Sequence, residues 1–125
     1  MTINDEIRRI AKDFVGREIP KPEAKKPFLI KGMGVRRGED ALIYTIPSHT
    51  GRKPYEKGIT LSEFSSAYSE LNRSGELTRT WFNKNLETCA NEGACNFTSI
   101  GGIFEMIGLA IYGERGRYIS TKGNT

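Results

Sequence analysis

The sequence predicts an α+β fold: an N-terminal helix, a β-hairpin, three short helices and a C-terminal β-hairpin. Three observations carry that expectation. Apolar residues recur at helical spacing in four separate stretches, bracketed by capping residues or glycine. Two pairs of apolar, partly β-branched runs are each joined by a short glycine-containing loop. The 125 residues include twenty-eight Phe, Ile, Leu and Val, about 22% of the chain, enough for one small core without disulfide or metal support. A single domain over residues 1–125 is expected, with a less regular part at 1–58 and a better punctuated part at 59–120.

Ile3, Ile7, Ile10 and Phe14 form the stripe of an amphipathic helix of about three turns, with Asn4 read as its cap, Asp5 and Glu6 in the first turn and Gly16 past its end. Arg17 to Pro27 contains three prolines together with Lys21, Lys25 and Lys26. Proline lacks the amide donor and pushes its predecessor into an extended conformation, so this stretch reads as a basic surface connector. Phe28 to Val35 and Ala41 to Ile46 form a hairpin around Arg36-Arg37-Gly38-Glu39. Ser48 to Gly58 is expected to be a polar loop.

Thr60-Leu61-Ser62-Glu63 is a capping box, with Ile59 placed to staple against Phe64. Leu61, Phe64, Tyr68 and Leu71 continue one helix face to a stop at Gly75. Thr78 caps the next helix, on which Phe82, Leu86 and Cys89 share a face, and Asn91 to Cys95 breaks it. Asn96 or Thr98 opens a third helix with Ile100, Ile103, Phe104 and Ile107 on one side and Gly108 as its stop. Leu109 to Tyr112 and Arg117 to Ser120 then flank Gly113-Glu114-Arg115-Gly116 as a second hairpin.

Three helices followed by a hairpin, with the short Asn91-Glu92-Gly93-Ala94-Cys95 turn before the last helix and Tyr112 to Tyr118 in the place of a wing, resemble a winged helix-turn-helix domain over residues 60–120. The resemblance implies a recognition role for the helix from Thr98 to Ile107, with Arg115 and Arg117 beside phosphates or the minor groove. The residues of that helix point elsewhere. Base edges are read by Arg, Lys, Asn or Gln, and Thr98 to Ile107 contains none of them; its one charge is Glu105. Gly101-Gly102 also costs about 1 kcal/mol per glycine in a helix interior, which fits close approach by another backbone. A buried helix, or a helix facing a protein, accounts for the segment better than base readout does.

Nineteen Lys and Arg against fifteen Asp and Glu give a net charge of +4. Residues 1–58 carry thirteen basic and eight acidic residues, residues 59–125 six and seven, so the excess lies outside the winged-helix-like part. Nucleic-acid binding is therefore expected to be dominated by phosphate contacts, from Arg36 and Arg37 at the first hairpin tip, the connector lysines, and Arg115, Arg117 and Lys122 around the second. For each residue taken singly, a solvated surface charge is the plainer reading, since Glu39, Asp40 and Glu114 lie adjacent. Tyr112 and Tyr118 could stack on bases, and cross-strand pairing explains them equally well.

The sequence assembles no catalytic set, and the chain is read as a non-enzymatic binding module. His49, the only histidine, lies in Ser48-His49-Thr50-Gly51 without an assignable partner. Gly32-Met33-Gly34-Val35-Arg36-Arg37-Gly38 lacks the spacing of a dinucleotide fingerprint and opens no helix. Cys89 and Cys95 cannot complete a four-ligand metal site and are expected as free thiols, so neither cofactor nor metal is implied. The alternative to nucleic-acid binding is a protein-interaction or homodimerisation module using the helix at 98–107. No apolar run reaches the roughly 18 residues that span a membrane, and the polar, acidic N-terminus differs from a signal peptide, so a cytoplasmic location is expected. The overall look, short, single-domain and without a motif, also resembles orphan proteins of phages and mobile gene cassettes such as those of integrons.

Overall fold

The computed structural model describes residues 2–24, 26–48 and 53–122. The fold is α+β, with two three-stranded antiparallel sheets and five helices among the described residues. Helix α1 (Ile3–Asp13) buries Ile7, Ile10 and Ala11. Its cap is Thr2 and not Asn4: Thr2 accepts from the Asp5 amide while Asp5 accepts from the Thr2 amide, two residues earlier than the sequence suggested. The connector then lies along the start of β1 (Leu29–Arg36). Gly16 N donates to Ile30 O, Ile30 N to Arg17 O, and Ile19 N to Phe28 O, which seats Ile19 in the core.

Strand β1 pairs with β2 (Glu39–Ile46) through a two-residue turn at Arg37 and Gly38, both at positive φ (51° and 76°), the conformation that matches the right-handed twist of a hairpin. A third strand, β3 (Tyr55–Thr60), pairs with β2 and completes the order β1-β2-β3. The polar loop expected over Ser48 to Gly58 therefore ends earlier. Tyr55-Glu56-Lys57-Gly58 has no apolar alternation, because β3 is an edge strand and its outer residues are charged. His49 and Thr50, considered above for chemistry, lie outside the described residues, as does Lys25.

The second part follows from three caps. Thr60 and Glu63 form the expected capping box of α2 (Leu61–Ser74), which ends at Gly75 in the left-handed conformation. Strand β4 (Glu76–Thr78) follows. Thr78 caps α3 (Arg79–Asn85) by accepting from the Trp81 amide. The helix expected to run on to Cys89 instead breaks at Leu86 (φ −120°, ψ 54°) and restarts as α4 (Glu87–Glu92), at a residue with no glycine or proline to signal it. Helix α5 (Asn96–Ile107) leads into β5 (Ala110–Glu114) and β6 (Arg117–Ser120), and β6 pairs with both β5 and β4 to give the order β4-β6-β5.

One core cluster includes Ile7, Ile10, Ile30, Leu42, Tyr44 and Ile59 from the first part and Phe64, Leu77, Phe82, Phe97, Ile100 and Tyr118 from the second. Helix α5 is its centre. Eight of its twelve residues are buried, and Gly101 and Gly102 allow neighbours to close in from two directions. A Cβ at Gly101 would lie 2.2 Å from the Tyr118 ring, and one at Gly102 would lie 2.3 Å from the Pro20 carbonyl oxygen. None of residues 98–107 is exposed: Ile100, Ile103 and Phe104 lie in the chain's own core, and Met106 and Ile107 pack partly buried against it. Among the described residues no helix is long and apolar enough to cross a membrane.

Candidate functional site

The five basic residues singled out from the sequence have different environments. Arg37 is held by acids: its guanidinium donates to Glu63 Oε2 at 2.6 Å and reaches Glu92 Oε1 at 2.5 Å. Glu63 is buried and also caps Thr60, so this arrangement ties the hairpin tip to α2 and α4. Arg117 is neutralised in the same way, donating to Glu76 Oε1 at 2.5 Å and to Glu114 Oε1 at 3.4 Å. Lys122 donates to the Tyr68 hydroxyl at 3.1 Å, over the ring of α2's tyrosine. Arg36 donates back to the Val35 carbonyl, and its stem covers Gly58. Arg115, exposed in the β5–β6 turn, has no carboxylate partner among the described residues.

Arg115 also lines a cavity that none of the other four lines. A cleft of about 640 Å³ opens between the connector, the first turn of α5, the start of α3 and the β5–β6 hairpin. Its walls bring Lys21, Arg79 and Arg115 together with Cys95, Thr98 and Tyr112, and Glu23 on the connector is the carboxylate among its lining residues. Three basic residues from three elements thus line one concave surface, although Lys21 and Arg115 are far apart in sequence.

Each of these side chains is positioned by identifiable contacts. Lys21 lies across the beginning of α5, where Nζ donates to Cys95 O at 2.9 Å, Thr98 Oγ1 at 2.8 Å and Ser99 Oγ at 2.7 Å. Its ammonium also sits 4.3 Å from the centroid of the Phe28 ring, which stacks on Tyr44. Burial pushes the Lys21 pKa down to about 7; Cys95 opposes the shift and the Arg79 charge reinforces it. Arg79 donates to Ala94 O at 2.9 Å, stands 4.7 Å from the Phe97 ring centroid, and its backbone amide donates to Gly116 O, which joins α3 to the hairpin turn. Tyr112 meets Tyr118 edge-on at 5.6 Å, and its amide is held by Glu105.

Arg79 escaped sequence reasoning because it stands alone, outside any basic run. One signal was available: a cation in the first turn of a helix opposes the helix dipole, so another interaction must hold it there. Lys21 was grouped with the connector lysines, and only the folded chain separates it from them by turning it inward.

Beneath the cleft, the Tyr44 hydroxyl donates to Asn96 Oδ1 at 2.5 Å and lies 3.5 Å from Cys95 Sγ, while Asn96 Nδ2 donates to Cys89 O. Both cysteines are free thiols, and burial pushes the Cys89 thiol pKa well above its ordinary value, which keeps it protonated. Among the described residues no three His, Cys, Asp or Glu side chains converge as metal ligands. The arrangement favours binding of an anion by charge and hydrogen bonding. No family model, curated protein or solved structure matches the chain.

Proposed function

We propose that the chain is a small, non-enzymatic nucleic-acid-binding module that grips phosphates and reads no base sequence through a helix. What carries the reading is the convergence of Arg79 and Arg115 on one cleft beside the β5–β6 turn, where Lys21, its own N–H groups bonded to the start of α5, completes the basic lining. The resemblance to a winged helix-turn-helix domain supports it. Helix α2, strand β4, helices α3 to α5 and the β5–β6 hairpin follow in the order of that fold, and the hairpin pairs onto β4. Helix α5 cannot act as a base-reading helix in this arrangement. Its amide residue, Asn96, is buried and bonded to Tyr44 and Cys89, and Lys21 lies over its first turn.

The test is a titration of labelled mixed-sequence nucleic acid, duplex and single-stranded together, over a range of salt. With Arg79 and Arg115 neutralising phosphates, log K is expected to fall against log salt with a slope of about −1.4 to −1.8, and Arg115→Ala is expected to make it shallower by about 0.7 to 0.9. Absence of binding at low salt would remove the reading.

A second reading draws on a different surface. Met33 and Val35 are exposed on β1, the edge strand of its sheet, and an exposed edge with apolar side chains can pair with the same edge of a second copy about a two-fold axis. Sedimentation that returns a monomer at every concentration would dispose of that dimer.

A further inference from the structure

We infer that the cleft accepts an unpaired nucleotide, so that the module binds single-stranded nucleic acid, one base against Tyr112 and the adjoining phosphates on Arg79 and Arg115, in preference to duplex. The inference rests on the reading proposed above and adds to it the kind of nucleic acid and the residue that chooses it.

The shape of the basic surface carries the choice. A duplex is bound by something convex, a helix or a β-ribbon that enters a groove. Helix α5, which holds the place such a helix would take, is covered along one side by Ile19, Pro20 and Lys21, with Gly102 against the Pro20 carbonyl. The cations lie instead on the walls of a concavity of about 640 Å³, within the size range of pockets that enclose small ligands. A duplex presents its bases stacked and its phosphates on a convex surface, so it cannot place a base and its own phosphates inside such a space together. A single strand can.

The lining supplies the two elements that single-strand binders combine, cations along a groove and an aromatic surface. Tyr112 is held by its edge-on contact with Tyr118 and by the bond from its amide to Glu105, so little order remains to be imposed on binding. Arg79 is anchored by Ala94 O and by the Phe97 ring, whereas Arg115 is exposed and without a carboxylate partner among the described residues. Arg79 would form the fixed side of the phosphate site and Arg115 the side that closes. Glu23, a carboxylate among the lining residues, disfavours phosphate beside it.

Fluorescence anisotropy with the whole chain compares a labelled oligothymidine, an abasic strand of the same length and a mixed-sequence duplex. The expected order is oligothymidine tightest, at least about tenfold ahead of both others, because one stacked base contributes about that factor. Tyr112→Leu, which keeps apolar volume on Tyr118, is expected to lose that advantage, Tyr112→Phe to keep it, and Arg115→Ala to weaken all three probes, with circular dichroism checking the fold of each variant. Duplex bound as tightly as oligothymidine would overturn the inference and leave the phosphate-binding reading standing. Oligothymidine bound no better than the abasic strand, or unaffected by Tyr112→Leu, would overturn the role of Tyr112. Binding of no probe would overturn both the inference and the function beneath it.

Discussion

Lys21 Nζ donates to Thr98 Oγ1 at 2.8 Å across a separation of 77 residues, joining a proline-flanked connector to the first turn of the central helix. The contact brings a charge from the basic half of the chain to the side of the β5–β6 turn, and it places an ammonium group in a half-buried position.

That position gives stability a dependence on pH. Lys21 has a folded pKa of about 7 against 10.5 for the unfolded chain, so between those values the unfolded state binds more protons and stability rises with pH. The cost of burying the charge is fully present below about pH 7 and is relieved as pH climbs toward 10.5. The groups facing Lys21 are Arg79, Cys95, Thr98, Ser99, Phe28 and Tyr44. Urea unfolding at a series of pH values should show the wild type gaining on Lys21→Met through this window, and parallel curves would refute the assignment.

Arg37 should matter for folding and not for binding. Arg37→Ala leaves the buried Glu63 without its guanidinium and releases the hairpin tip from Glu92, and a loss of about 1–3 kcal/mol is expected. Arg115→Ala, at an exposed residue without a carboxylate partner among the described residues, should change stability by no more than about 0.5 kcal/mol. Chemical denaturation of the two variants separates these roles, and equal losses would contradict them.

The glycine pair yields an outcome opposite to helix propensity. Alanine is favoured over glycine in a helix by about 1 kcal/mol, yet at Gly102 its Cβ would lie 2.3 Å from the Pro20 carbonyl oxygen. Gly102→Ala should therefore destabilise by roughly 1–3 kcal/mol or more. Gly101→Ala meets the Tyr118 ring and should be partly rescued by Tyr118→Leu, since a smaller side chain makes room. A raised denaturation midpoint for Gly102→Ala would show that the connector does not press on α5.

Thr60 links strand to helix, accepting from the Glu63 amide at 3.2 Å while Glu63 holds the Thr60 amide at 2.9 Å. Thr60→Ala should cost about 1 kcal/mol and Thr60→Ser much less, because the hydroxyl makes the bond. Thr2→Ala, at an exposed cap, should have the smaller effect of the two alanine variants. Thermal denaturation orders them, and no loss on Thr60→Ala would show that the cap is dispensable.

The elements easiest to read from the sequence were those governed by neighbours within a few residues. The Thr60 to Glu63 capping box, the Thr78 cap, the stop at Gly108 and both hairpin turns depend on local hydrogen bonds and on backbone angles that particular residues permit. Strand β3 was not legible, because an edge strand needs charges outside and only one apolar residue inside. The break at Leu86 was equally hidden, since packing imposes it without a helix-breaking residue.

The candidate site divides along the same line. Apolar periodicity, caps and turn residues by themselves determined that the chain is α+β, and the order of its charges that the positive excess lies in residues 1–58 and that the helix from 98 to 107 has nothing with which to read bases. Only the tertiary structure decided which basic residues are held by opposite charges or hydrogen bonds within the chain. Glu63 and Glu92 take Arg37, Glu76 and Glu114 take Arg117, Cys95, Thr98 and Ser99 take Lys21, and Arg79 and Arg115 line one cleft without a salt bridge to a carboxylate among the described residues. A charge is a property of a residue, but its availability depends on which opposite charges the fold brings within a few ångströms, and those partners are distant in sequence.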